Sequence, residues 1–94
     1  MQKIQVCAVW NGSAGEHFEW ENNVTTAPHT CKIDTDDSGR GWPFVAAAPL
    51  HVPGQANGVP GKLRCQIAPN LPDGTYAYES ECCSDGVPKS VTIP

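Results

Sequence analysis

The stretch TYAYESECC (residues 75–83) decides how this chain folds. In an extended backbone Tyr76, Tyr78, Ser80 and Cys82 fall on one side and Thr75, Ala77, Glu79 and Glu81 on the other. Aromatic residues at period two suit a pleated strand with one buried face. The same period recurs upstream. In KLRCQIA (residues 62–68), Leu63, Cys65 and Ile67 alternate with Lys62, Arg64 and Gln66. From His17 onward, Phe18 and Trp20, then Val24, oppose Glu19 and Glu21. KIQVCAVW (residues 3–10) sets Ile4, Val6, Ala8 and Trp10 against Lys3, Gln5, Cys7 and Val9, and predicts one continuous first strand. HTCKI places His29, Cys31 and Ile33 on one face, and KSVTIP carries Val91 and Ile93 together.

Nine Gly and nine Pro are spread along the 94 residues, and no segment places good helix formers with apolar residues at i, i+3, i+4 and i+7. The fold class is therefore all-β, and the chain is one domain over residues 1–94. Six or seven short strands with irregularly spaced turns predict a Greek-key β-sandwich. Residues 39–61, GRGWPFVAAAPLHVPGQANGVPG, are punctuated by Pro and Gly and admit only short strand pieces. That segment is expected to wrap the edge of the sandwich, with Trp42, Phe44 and Val45 covering core.

A net charge of -4 offers no basic patch for a phosphate backbone, so no nucleic-acid partner is expected. No apolar run approaches the roughly 18 residues of a membrane span, and MQKIQVCAVW lacks the apolar stretch of a signal peptide. The triplets NGS at Asn11 and NVT at Asn23 fit a glycosylation pattern that chance also produces.

Five cysteines, Cys7, Cys31, Cys65, Cys82 and Cys83, are many for a domain of this size. A chain this short buries only roughly 60 to 65% of its unfolded surface, and small secreted domains offset thin cores with disulfides. An extracellular or periplasmic location follows as the expectation. Leaving one cysteine out and pairing the rest allows five times three, or fifteen, frameworks. Cys31 and Cys65, both among apolar neighbours, are expected to bridge within the core. Cys82 and Cys83 are expected to serve disulfides, since a bond between adjacent cysteines is strained.

The residues that could carry chemistry are few. A copper electron-transfer site takes two imidazoles and a thiolate in a trigonal plane with a weak axial ligand. The histidines are His17, His29 and His51, and the one methionine is Met1. Here a family resemblance enters. FEWENNVTTAPHTCKIDTDD (residues 18–37), followed later by LPDGTYAYESECC and VPKSVTIP, resembles the end blocks of cupredoxin (plastocyanin-like) domains. The resemblance implies a copper site in which His29 matches the first copper histidine and Cys82 or Cys83 lies near the copper thiolate. CCSDGVPK supplies neither the second histidine nor the methionine that the family carries after its cysteine. The metal residues that the resemblance implies are thus His29, Cys82 and Cys83, with copper the ion it implies and the site expected to be lost or rebuilt.

No Ser, His and Asp grouping has hydrolase spacing, so the chain is read as non-enzymatic. Glu79, Glu81 and the acids around Asp36 read as solvated strand edges before they read as a calcium site. The leading expectation is a binding or structural module. A second reading keeps copper on His29 and Cys82 or Cys83, completed by His51 or His17, for electron transfer or copper delivery. A third is an immunoglobulin-like surface module that takes a glycan or protein partner through the loop at Trp42, the aromatic expected to be exposed.

Overall fold

Alternation along the chain becomes a layered fold because each strand turns every second side chain toward the same interior. The computed structural model describes residues 1–24, 30–37 and 40–94. It contains β1 (Gln2–Gln5), β2 (Trp10–Asn11), β3 (His17–Asn22), β4 (Cys31–Thr35), β5 (Leu50–Val52), β6 (Gly61–Gln66), β7 (Gly74–Ser80) and β8 (Lys89–Ile93), with no helix among the described residues. The fold is all-β and sandwich-like. One sheet has the order β1-β3-β6 and the other β2-β8-β7-β4-β5. β1 runs parallel to β3 and β2 parallel to β8, while the remaining pairs are antiparallel.

The inward faces are those the alternation predicts. Phe18 and Trp20 on β3, Cys31 and Ile33 on β4, Tyr76 and Tyr78 on β7, and Val91 and Ile93 on β8 are all buried. At the centre, aromatic rings meet edge to face. Trp20 lies 5.0 Å from Phe18, 5.5 Å from Phe44 and 5.6 Å from Tyr78, ring centre to ring centre. Such tilted contacts suit the ring quadrupole and add to what burial of the rings contributes. A polar thread crosses this core. Trp10 Nε1 donates to the Tyr78 hydroxyl at 3.0 Å, and that hydroxyl in turn donates to the Ala8 carbonyl at 3.4 Å. Burial raises the Tyr78 phenol above the usual tyrosine range, and the Trp10 N–H offsets part of the rise.

The first strand is not continuous. β1 ends at Gln5, Ala8 N donates back to the Gln5 carbonyl at 3.0 Å, and the chain crosses to β2, where Trp10 pairs with Val91 in the other sheet. Ile4, Val6 and Trp10 stay buried across the break because both sheets face one interior. This break and the short β5 give eight strands among the described residues, against the six or seven expected.

The Pro- and Gly-rich segment holds β5 and a bridge between Phe44 and Ile67. Phe44 is buried, as expected, but Val45 is 57% exposed. The bridge makes the backbone extended there, and adjacent side chains of an extended strand cannot face the same way. Arg40 fastens the segment by donating from Nη1 to the Asp73 carbonyl at 3.0 Å, with its guanidinium 5.5 Å above the Tyr76 ring. Gly61 opens β6 where a side-chain carbon would fall on the Pro53 carbonyl, so no larger residue fits.

Tyr78→Phe removes the acceptor of Trp10 Nε1 and leaves that N–H without a partner in the core. We expect stability to fall by about 1–3 kcal/mol, read as a lower urea midpoint at unchanged slope.

Candidate functional site

The five cysteines supply the densest chemistry in the molecule, and strand register sorts them. β4 and β7 are antiparallel with Ile33 opposite Ser80, and Glu81 N donates to the Lys32 carbonyl at 3.0 Å just beyond. One step further the same register leads to Cys31 on one side and Cys82 on the other. These two form a disulfide with their Cα atoms 5.3 Å apart. Cys83 turns the other way, toward the crossover between β1 and β2, and bonds Cys7 with a Cα separation of 5.6 Å. Adjacent residues thereby tie the end of β7 to two different segments.

The two disulfides share one locus. The sulfurs of Cys7, Cys82 and Cys83 all lie within 4.8 Å of one another. The Ser80 hydroxyl stands 3.4 Å from the Cys31 sulfur and 3.9 Å from the Cys82 sulfur, and with both sulfurs oxidised only the hydroxyl has a proton to donate. A cavity of about 230 Å³ opens beside this locus, lined by Lys32, Asp34, Glu79, Glu81, Cys83 and Val87. Lys32 and Glu81 pair across its rim at 3.5 Å. The turn that follows is closed by Lys89, whose side chain, only 6% exposed, donates to Asp85 at 2.5 Å. The Lys89 ammonium, helped by the Val87 N–H, holds the Asp85 carboxyl below the usual carboxylate range.

Of the residues expected to hold a metal, Cys82 and Cys83 are brought together, each in a disulfide. His29 lies outside the described residues. His17 on β3 sits opposite Gln66 and His51 on β5 opposite Lys32, both exposed, and neither belongs to the sulfur group. Trp42 is half-buried, its Nε1 donating to the Ala46 carbonyl at 2.7 Å and its ring set edge-on to Phe44 at 5.1 Å.

The expectation that Cys65 bridges the core is corrected: it is the free cysteine. It sits on β6 opposite Phe18 in the three-stranded sheet, whereas Cys31, the other cysteine expected to bridge within the core, is on β4 in the five-stranded sheet and bonds Cys82. Burial pushes its thiol up, and with Met1, His17 and Arg64 it borders a second cavity of about 320 Å³. The roles of Cys7 and Cys31 as partners of Cys83 and Cys82 were not read from the sequence. The available signal was the alternation from Tyr76 to Cys82, which puts Cys82 on the inward face with Cys31.

Comparison with protein-family models finds no match to this chain, and comparison with curated proteins finds none.

Removing either bridge as a Ser pair, Cys7→Ser with Cys83→Ser or Cys31→Ser with Cys82→Ser, frees a chain segment spanning 76 or 51 residues. Each pair is expected to lower stability by about 2–5 kcal/mol in urea unfolding. Asp85→Asn tests the electrostatic closure. Because the folded-state pKa of Asp85 is depressed, its contribution is present above the unfolded value and lost as pH falls through the folded one. The stability gap between parent and variant should be widest near neutrality and shrink below about pH 4, as unfolding curves across pH would read.

Proposed function

We propose that this chain is a non-enzymatic, cupredoxin-like Greek-key domain whose copper site is lost or rebuilt, working as a binding or structural module outside the cytoplasm. What carries the reading is that Cys82 and Cys83, the sulfurs nearest the place of the copper thiolate in the resemblance, are both in disulfides. A sulfur so bonded has no thiolate charge to offer a metal. The all-β, two-sheet architecture supports the fold part of the proposal. Two disulfides in a domain of 94 residues support an oxidising compartment.

The surface for a protein or glycan partner is the loop at Trp42. There a partly exposed indole stands beside the exposed Val45, Ala46 and Ala47, and an aromatic edge with apolar neighbours suits contact with a sugar ring or an apolar side chain. The test is a titration of the oxidised protein with copper(II), following the visible spectrum. No thiolate-to-copper absorption is expected at one equivalent. An intense band that disappears in His29→Ala would overturn the proposal in favour of an electron-transfer or copper-delivery site.

A further inference from the structure

We propose that the reduced chain binds one thiophilic d10 metal ion, with zinc as the type case, through the thiolates of Cys7, Cys82 and Cys83 and with Cys31 as the fourth ligand. The starting geometry is already close. Three sulfurs lie within 4.8 Å of one another, and Cys31 is bonded to one of them. Tetrahedral zinc with Zn–S distances of about 2.3 Å places its four sulfurs roughly 3.8 Å apart. Bonded sulfurs must open by roughly 1.7 Å from a disulfide length of about 2.05 Å, and the unbonded ones among Cys7, Cys82 and Cys83 close by up to about 1 Å, while the Cys31 sulfur, which lies outside that group, swings in beside Cys82. Side-chain rotation supplies movements of that size while the Cα pairs remain 5.6 and 5.3 Å apart.

The donor set selects the metal. No histidine or carboxylate joins the sulfur group among the described residues, and an all-thiolate set favours zinc or copper(I) over harder ions. The Ser80 hydroxyl, 3.4 Å from the Cys31 sulfur, is placed to donate to that thiolate as an outer-shell partner. Cys83 borders the cavity of about 230 Å³, which gives an ion a path from solvent. A metal here would tie the β1–β2 crossover, the start of β4 and the turn after β7, the same three segments that the disulfides tie. One locus thereby serves as a covalent clamp when oxidised and a metal clamp when reduced.

The chemistry balances with a phosphine reductant. Each disulfide takes two electrons from one phosphine, which leaves as its oxide with the oxygen of a water, and the two protons of that water end on the two thiols. Two disulfides yield four thiols, and one zinc ion displaces their four protons to solvent.

The inference is independent of the binding-module reading, since that reading is tested with copper(II) on the oxidised chain and this one with zinc on the reduced chain. The experiment reduces the full chain, removes the phosphine and adds zinc in competition with a chromophoric chelator, followed by native mass spectrometry and near-ultraviolet circular dichroism. Expected are one zinc per chain, return of the tryptophan signals of the oxidised form, and no change in Cys65→Ser. Cys7→Ser and Cys83→Ser should each weaken binding by at least about tenfold, the loss that removal of an outer-shell partner already reaches. Failure to take zinc from the chelator would overturn the proposal. So would zinc uptake without recovery of the tryptophan signals, which would mark binding to an unfolded chain, or a Cys65→Ser loss as large as that of Cys83→Ser.

Discussion

Two covalent bonds leave the chain from neighbouring positions, Cys82 and Cys83, and the arrangement of the sheets depends on where they go. Cys82 fastens β7 to the start of β4 within one sheet. Cys83 reaches the crossover that carries the chain from β1 in one sheet to β2 in the other. Because the two bonds enclose spans of 51 and 76 residues, they remove much of the unfolded chain's freedom. A domain of 94 residues with a thin core gains more from that restriction than a larger one would.

The bridges do not hold the sheets together alone. The rings of Trp10, Phe18, Trp20, Phe44 and Tyr78 fill the interior from both sheets and from the segment between β4 and β5, so each sheet supplies partners that the other lacks. The hydrogen bond from Trp10 to Tyr78 adds direction to what is otherwise non-directional burial, because it joins β2 to β7 across β8. The aromatic rings draw in β2 and β3 and the disulfides draw in β4 and the β1–β2 crossover, and β7 with the turn after it is common to both.

The fold was legible where the signal is local. Period-two alternation marked Phe18, Trp20, Ile33, Tyr76, Tyr78, Val91 and Ile93 as inward, and each is buried. Alternation also hid a feature. Since both sheets face one interior, the chain can change sheets between Gln5 and Trp10 without breaking the apolar period, and a split strand reads as a continuous one. Val45 was misread for the opposite reason: between Pro43 and Pro49 there is no period to follow, and only the bridge from Phe44 to Ile67 reveals which neighbour points inward.

By itself the sequence determined the all-β class, the buried faces and the presence of an odd cysteine, because these follow from residue type and from neighbours one or two positions away. Tertiary structure alone decided which cysteine is odd. Fifteen pairings are equivalent along the chain, and they become unequal only when strand register sets Ile33 against Ser80 and carries Cys31 to Cys82. The gathering of sulfurs from positions 7, 82 and 83 has the same origin. Residues so far apart in the chain meet only after two sheets have closed on a common core, and nothing in their local sequence records that meeting.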